Sequence, residues 1–350
     1  MQTKQGKTKL AYFGIASLLP AMLLIAVPYW GVFWIFVTLF YMTVFVFCVD
    51  EIGNKIIPPL APTAASPHAR ALLFILGLTH FAVLFHTAYI LGFGAIGFGA
   101  KLLLFWVAGL YLGQVSNSVA HELIHDRSKF ARALGTWIYI TLAFGHHTSA
   151  HPLIHHRYVA TDLDPNSARL GESIYRFLPR AWRGSFMAGF KAEQSRLIQT
   201  NRPFWAHPYV TYIGGSLGIA VGLLWTWGIG AFMAWVALAC YAQLQLLLSD
   251  YVQHYGLRRH QIGEKPEHMS EAHSWDAPHP FSAFHMFNAP RHSDHHMHPN
   301  RSYPELTLND GITGPRLPYS LPVMASLALA PRLWRRVMDK RVRQWTDNRP

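Results

Sequence analysis

The apolar positions of this chain fall into long runs that no charged residue interrupts. Asp, Glu, Lys and Arg are absent between Lys9 and Asp50, Arg70 and Lys101, Lys101 and Glu122, and Arg202 and Asp250. A bilayer core of ~30 Å takes ~20 helical residues at 1.5 Å rise each, so run length counts the spans. Leu10 to Val49 fits two spans, with Pro28, Tyr29, Trp30 and Gly31 as the turn between them. The next block gives Ala71 to about Leu91, a link rich in glycine (Gly92, Gly94, Gly97, Gly99), then Leu102 to Ala120. The third gives about Pro208 to Trp225, a short link around Gly228, and Gly230 to Ser249. The fold class expected is all-α. It is a polytopic membrane protein with six transmembrane helices in three hairpins, at about 10–28, 32–49, 71–91, 102–120, 208–226 and 230–249. Segments 121–207 and 250–350 form a helical cap outside the bilayer, and 1–350 is read as one domain. Two weaker apolar stretches, Trp137 to Phe144 and Tyr319 to Ala330, are too short to span. They are expected to lie at the interface or dip into it.

Composition excludes an ordinary soluble protein. Hydrophobic residues make up 51% and charged residues 14%, against roughly 25% charged in soluble chains. A net charge of +12 would otherwise invite a nucleic-acid reading, but in a membrane protein excess Lys and Arg reports orientation. The three short links hold one of the 30 Lys and Arg residues, Lys101. Lys4, Lys7, Lys9, Arg70, Arg127, Lys129 and the basic tail from Arg332 to Arg349 lie on the other side. The positive-inside rule then places both termini and both long segments on the cytoplasmic face of the inner membrane. A cleavable leader is not expected, because the first apolar run continues past any suitable cleavage point. Cys48 and Cys240 sit inside apolar runs and offer neither a disulfide scaffold nor a cysteine metal site.

Histidine is the anomalous residue, with 21 in 350. His121-Glu-Leu-Ile-His125 puts two imidazoles on one helix face at i and i+4. His151, His155 and His156 follow as H-x-x-x-H-H, His254 stands in YVQHYGL, and His292, His295 and His296 form R-H-S-D-H-H. The charge-free runs ending at Ala120 and Ser249 deliver His121 and His254 to one membrane surface at similar depth. Nine imidazoles exceed the three or four that one zinc takes and suit two metals. His155 and His156, ~100° apart on a helix, can face different ions. Imidazole accepts several transition metals, so ligand type does not name the ion. Isolated histidines are read as packing or interface residues: His68, His80, His86, His207, His260, His268, His279, His285 and His298. His146 and His147 stand evenly between the two readings.

These motifs resemble those of the alkane 1-monooxygenase family, in the membrane di-iron group that includes fatty-acid desaturases and aromatic methyl-group monooxygenases. The residues that carry the resemblance are HELIH (121–125), HPLIHHRYVAT from His151 with Asp164-Pro165 and Gly171-Glu172-Ser173-Ile174-Tyr175-Arg176-Phe177, His273-Ser274-Trp275, HYGL from His254, and RHSDHH from Arg291. It runs from about residue 10 to 345. RHSDHH together with HYGL is specific, whereas HELIH alone is not. Many members carry Glu before the second motif and before HYGL, and Gly before the paired histidines. Here stand Ala150, Gln253 and Ile154, and Pro152 fits only the first turn of a helix.

The resemblance implies two iron ions held by His121, His125, His151, His155, His156, His254, His292, His295 and His296. It implies O2-dependent hydroxylation of a terminal methyl on a medium- or long-chain alkane, with electrons from a rubredoxin-type carrier and its reductase. Glu122, Asp164, Asp294, His273 and Trp275 are expected to support the ligands by accepting imidazole N–H or packing against them. Phe33, Phe36, Phe40, Val44 and Phe47 share one face of the second span and offer either a gauge of chain length or ordinary helix packing. Three rivals stand. Desaturation or aromatic methyl hydroxylation would use the same centre. An intramembrane zinc protease would use HELIH with Glu122 as base but leave six clustered histidines idle. A metal transporter or sensor would need ionisable residues along a transbilayer path, where only His80 and His86 stand.

Overall fold

The computed structural model describes residues 2–53 and 61–348, with side chains from Lys9 onward. Lys4, Lys7 and Arg349, which entered the charge asymmetry, have side chains outside that range.

Five helices among the described residues are long and apolar enough to cross a membrane. Helix α1 (Gln2–Trp30) turns at Gly31, whose φ of +91° favours glycine, into α2 (Phe33–Ile52). Helix α3 (Pro67–Phe93) starts at Ser66, whose hydroxyl accepts from Ala69 N at 3.1 Å, and is followed by α4 (Phe98–His125). The last of the five, Pro208–His254, runs 47 residues. That is ~70 Å of helix, about twice a bilayer core. Gly228, at φ 63° and ψ −171°, breaks it. Its two arms fold back beside the same strip of chain: Ser216 donates to Ile140 O at 2.8 Å and Trp235 Nε1 to Thr141 O at 2.7 Å. The fifth and sixth expected spans are therefore these two arms.

Between α4 and the last hairpin come α5 (Lys129–Thr141), a short helical stretch over 147–158 (α6), and α7 (Ile174–Gln199). The Trp137–Phe144 stretch does dip inward. Thr141 Oγ1 meets His80 Nε2, from the middle of α3, at 2.8 Å, and Gln243 Nε2 donates to Leu142 O at 2.7 Å. We number the helix over Pro208–His254 α8. After it come α9 (Pro280–His285), α10 (His292–Met297), α11 (Leu321–Ala328) and α12 (Pro331–Asp347). The basic helix α12 buries Trp334, Met338 and Val342 on one face and leaves its arginines in solvent.

Two close approaches lock α4 to α8. A Cβ added at Gly109 would overlap the Tyr241 ring, and one at Gly113 the Gln245 amide. This small-xxx-small spacing lets Gln245 Nε2 reach Gly109 O at 2.7 Å. The aromatic face of α2 corrects one expectation. Phe33, Phe36, Phe40 and Val44 are all about half exposed or more and lie outside the cavity lining, so they turn largely toward lipid and do not gauge substrate. Phe47 alone of the five lines the internal cavity described below.

Candidate metal centre

Four segments carry the nine clustered histidines to one place. The end of α4 supplies His121 and His125 from one face, and the last residue of α8 supplies His254. In α6 the backbone widens to a π turn over His151–His155, with His156 N–H bonding His151 O. The i, i+5 closure brings His151 edge-on to His156, Nε2 to Nε2 2.9 Å, and turns the intervening His155 to the other side. Helix α10 presents His292 and His296 on one face and His295 on another.

The result is two adjacent groups. His121, His125, His151, His156 and His295 bring their ring nitrogens within 4.8 Å of one another, and so do His155, His254, His292 and His296. In the first group His121 and His151 approach to 2.8 Å and His156 and His295 to 3.1 Å, Nε2 to Nε2. In the second, His254 and His292 stand 2.9 Å apart and His292 and His296 3.1 Å. Burial, then the charge of neighbouring imidazoles, holds His151, His156, His292, His295 and His296 well below the usual histidine range. That shift favours the neutral form, the form in which imidazole binds a metal. The buried Nε2 atoms of His125 and His155 have no hydrogen-bond partner among the described residues. Unpartnered buried nitrogens are costly. A cation ~2.1 Å from each nitrogen would satisfy them at separations near ~3 Å. The donor set therefore fits a pair of metal ions.

The surroundings orient the rings unevenly. Asp164 Oδ2 takes His155 Nδ1 at 2.9 Å and Ser167 Oγ at 2.7 Å, and its other oxygen takes Asn166 N at 3.1 Å. Burial works against both charges, yet the pairing raises His155 and lowers Asp164. His254 Nδ1 donates to His273 O at 3.3 Å, which leaves Nε2 facing the group, while the His273 ring bonds Glu267 and Ser270. Trp275 acts on the backbone: its indole donates to Tyr255 O and its own N–H to Gln253 O. Two expectations need correction. Glu122 accepts from Tyr303 N at 3.0 Å, and Asp294 binds Arg301, His298 and Thr307 N, so neither touches a clustered imidazole. Each adjoins a clustered histidine and points ~100° away on the helix.

Sequence reasoning missed Asp276, which accepts from Ser293 N at 2.8 Å and Ser293 Oγ at 2.7 Å and so anchors the start of α10. Its nearness to His273-Ser274-Trp275 was the available signal. Among the departures, Gln253 donates to Ala289 O at 3.0 Å, which a carboxylate could not do, and so fixes the chain just before His292. Ala150 packs where Gly189 of α7 comes close. His147 stacks on His151 at 4.9 Å without joining either group, whereas His146 packs against Phe144, Trp182 and Phe186.

Replacing Asp164 with Asn should weaken metal retention at least ~tenfold, the usual cost of losing a carboxylate that orients a ligand histidine. Competition with a chelator measures this, and unchanged retention would show that the pairing is only structural.

A cavity of about 630 Å³ leads from the membrane helices to this centre. One stripe of α4 (Leu110, Gly113, Gln114, Asn117, Ser118, His121) forms a wall at 3–4 residue spacing. Tyr241, Leu244, Gln245, Leu248 and Ser249 of α8 face it, with Met42, Val46 and Phe47 of α2 at the side. Its apolar character is real despite these amides. Asn117, Ser118 and Gln245 each donate to a backbone carbonyl, Gly113 O, Gln114 O and Gly109 O. The inner end meets His121, His151 and His292, hence both groups, and also His147 and Asp250. Leu321, Ala325 and Leu329 of α11 and its flank complete the apolar lining. Trp106 and Phe47 line the cavity yet are about half exposed, so the wall there faces lipid.

Apolar spans that feed two histidine groups, with an apolar cavity between bilayer and metals, define a membrane protein with a di-metal site. The chain belongs to the fatty acid desaturase family, whose model matches residues 96–328. It is 35% identical over 241 residues to alkane 1-monooxygenase 1 of Pseudomonas aeruginosa, covering 68% of this chain and 62% of that one. It is 31% identical to the alkane 1-monooxygenase of Pseudomonas putida, covering 79% and 69%. The hydroxylase component of a Pseudomonas putida xylene/toluene monooxygenase is 27% identical, covering 71% and 65%. The match thus spans less than two thirds of the Pseudomonas aeruginosa relative.

Proposed function

We propose that this protein is a membrane monooxygenase that hydroxylates the terminal methyl of medium- or long-chain alkanes to primary alcohols. The observation that carries the reading is the apolar cavity whose inner end is closed by histidines of both groups. A hydrocarbon dissolved in the bilayer can enter it without crossing water. The alkane 1-monooxygenase relatives support the substrate class, and their greater identity favours it over the xylene-type reading.

The nine histidines would hold two irons, which when bound supply the redox power to activate O2 against an unactivated C–H bond. No side chain has that power, and zinc lacks it. The chain's own part is positioning. The α4 stripe aligns the substrate so that one methyl abuts His121 and His292. Helix α11 adds Leu321 and Ala325 to the apolar lining, which disfavours water in the cavity. Asp164 and the His273 carbonyl fix which nitrogen of His155 and His254 faces inward. Electrons come from outside, because the chain has neither a nucleotide fingerprint nor an iron–sulfur cysteine set. A rubredoxin-type carrier with its reductase suits that need, and the basic outer face would speed encounter with an acidic carrier. The charge asymmetry puts that face and both termini in the cytoplasm, with the chain in the inner membrane. We read residues 1–350 as one domain, because buried residues from Phe13 to Val342 form one contiguous core. The protease reading is weakened by Glu122, whose carboxylate is engaged by Tyr303 N and does not line the cavity.

Purified protein should carry about two irons per chain, lose turnover on chelation, and regain it with ferrous iron but not zinc. Supplied with octane, dodecane, xylene and a fatty acyl substrate in cells, it should give chiefly the 1-alkanols. One zinc per chain, or products only from the acyl or aromatic substrate, would overturn the reading.

A further inference from the structure

Outside the metal centre, a second concave site lies between the starts of α7 and α12. It is a cleft of about 360 Å³ lined by Gly171, Ser173, Arg176, Pro331, Arg332 and Arg335. Three guanidiniums meet there with no acidic residue in the lining, and none of the three forms an ion pair among the described residues. The neighbouring carboxylate, Glu172, is engaged by both Arg180 Nε at 2.8 Å and Arg180 Nη2 at 2.7 Å. The cleft also sits at the N-terminus of the 17-residue helix α12, whose dipole adds positive potential.

Its depth follows from three hydrogen bonds. Tyr251, the second residue beyond the charge-free run of α8, donates to Glu172 O at 2.7 Å. Farther along α7, Trp182 Nε1 donates to Gln243 Oε1, inside that run, at 2.8 Å. Tyr175 donates to Leu329 O at 2.8 Å, and Leu329 also lines the apolar cavity. The cleft therefore opens at the boundary between bilayer and water. Tyr175, Leu329 and Leu333 stand exposed beside it, the mixture of aromatic and aliphatic side chains that meets lipid at a membrane interface.

We propose that this cleft binds the phosphodiester headgroup of an anionic phospholipid. Guanidinium forks match phosphate oxygens bidentately, and three of them without carboxylates disfavour a zwitterionic headgroup, whose ammonium would be repelled. The apolar rim suits the glycerol and first methylenes of acyl chains better than it suits an acidic protein. A phosphate here bridges the 171–176 segment, which follows the second histidine motif, to α12. Trp334 of α12 packs against Tyr251 and Tyr255, with ring centroids 5.2 and 5.1 Å apart, on either side of His254. The lipid thus ties the cap to the helix that delivers a clustered histidine, and the site stands independently of the reaction the protein performs.

The test is native mass spectrometry of the full chain exchanged into nanodiscs of phosphatidylglycerol or phosphatidylcholine. The protein is compared with Arg176→Gln/Arg332→Gln/Arg335→Gln and with Arg336→Gln/Lys340→Gln/Arg341→Gln, which removes the same charge from α12 away from the cleft. The unaltered and control proteins should retain phosphatidylglycerol, and the cleft variant should retain it at least ~tenfold less. Should the triple variant fail to fold, each single substitution should still lower retention about threefold. Equal retention by cleft and control variants overturns the proposal. So does displacement of the lipid by millimolar inorganic phosphate, which would mark a site for free anions, or displacement by an acidic protein only.

Discussion

Replacing His292 with alanine is expected to lower hydroxylation below a hundredth of the parent rate and to reduce bound iron from about two per chain to one or none. His292 Nε2 stands 2.9 Å from that of His254 and 3.1 Å from that of His296, so its removal leaves the second group with three nitrogens. It also forms part of the inner end of the cavity, so any metal that remains would lose its fixed place relative to substrate. His151→Ala should do the same to the first group. His68→Ala is the control: His68 is exposed and joins neither group, so turnover and iron should stay within about twofold. Iron analysis with alkanol formation by chromatography measures both effects. Undiminished turnover in His292→Ala would refute the ligand assignment.

Much of this site was legible because its signals are local. Charge-free runs mark where the long apolar helices lie, and the break at Gly228 falls in the expected short link. The i, i+4 spacing of His121 with His125 and of His292 with His296 does place each pair in one group. The separation of His155 from His156 was also foreseeable, although the sequence does not announce the π turn that reinforces it. What failed to show rests on contacts between distant segments. Asp276 and Ser293, or Trp235 and Thr141, are partners that no spacing encodes. The phenylalanine face of α2 misled for a different reason. In a bilayer an apolar face is as content against lipid as against protein or substrate, so hydrophobicity alone does not reveal which way a span faces. The expectation for Glu122 and Asp294 rested on their closeness to ligands in sequence, but residues adjacent to a ligand on a helix point elsewhere, and both carboxylates bond other partners.

The second large effect concerns chain length, and it should come from α4 and not from the outward face of α2. Leu110 and His121 lie on one stripe, 11 residues apart, hence ~16 Å along the axis, roughly the reach of a dozen extended carbons. Substituting Leu110 with Trp would put an indole across the cavity at that distance. Overfilled apolar sites do not relax readily, because the interior is close-packed, and here Gly109 already seats Tyr241 against α4. Octane should then be hydroxylated within about threefold of the parent rate, while hexadecane falls at least ~100-fold, because one misfit methylene already costs ~10–200-fold and several would clash with the indole. Trp106→Ala should act in the opposite sense, because Trp106 lines the lipid-facing wall and packs edge-on against Tyr241 at 5.2 Å. Its loss widens the wall and should raise the long-to-short product ratio. Competition between the two alkanes in one reaction cancels differences in protein amount and metal loading. If Leu110→Trp slowed both alkanes equally, the substrate would not lie along the α4 stripe, and the cavity would be an incidental gap between helices.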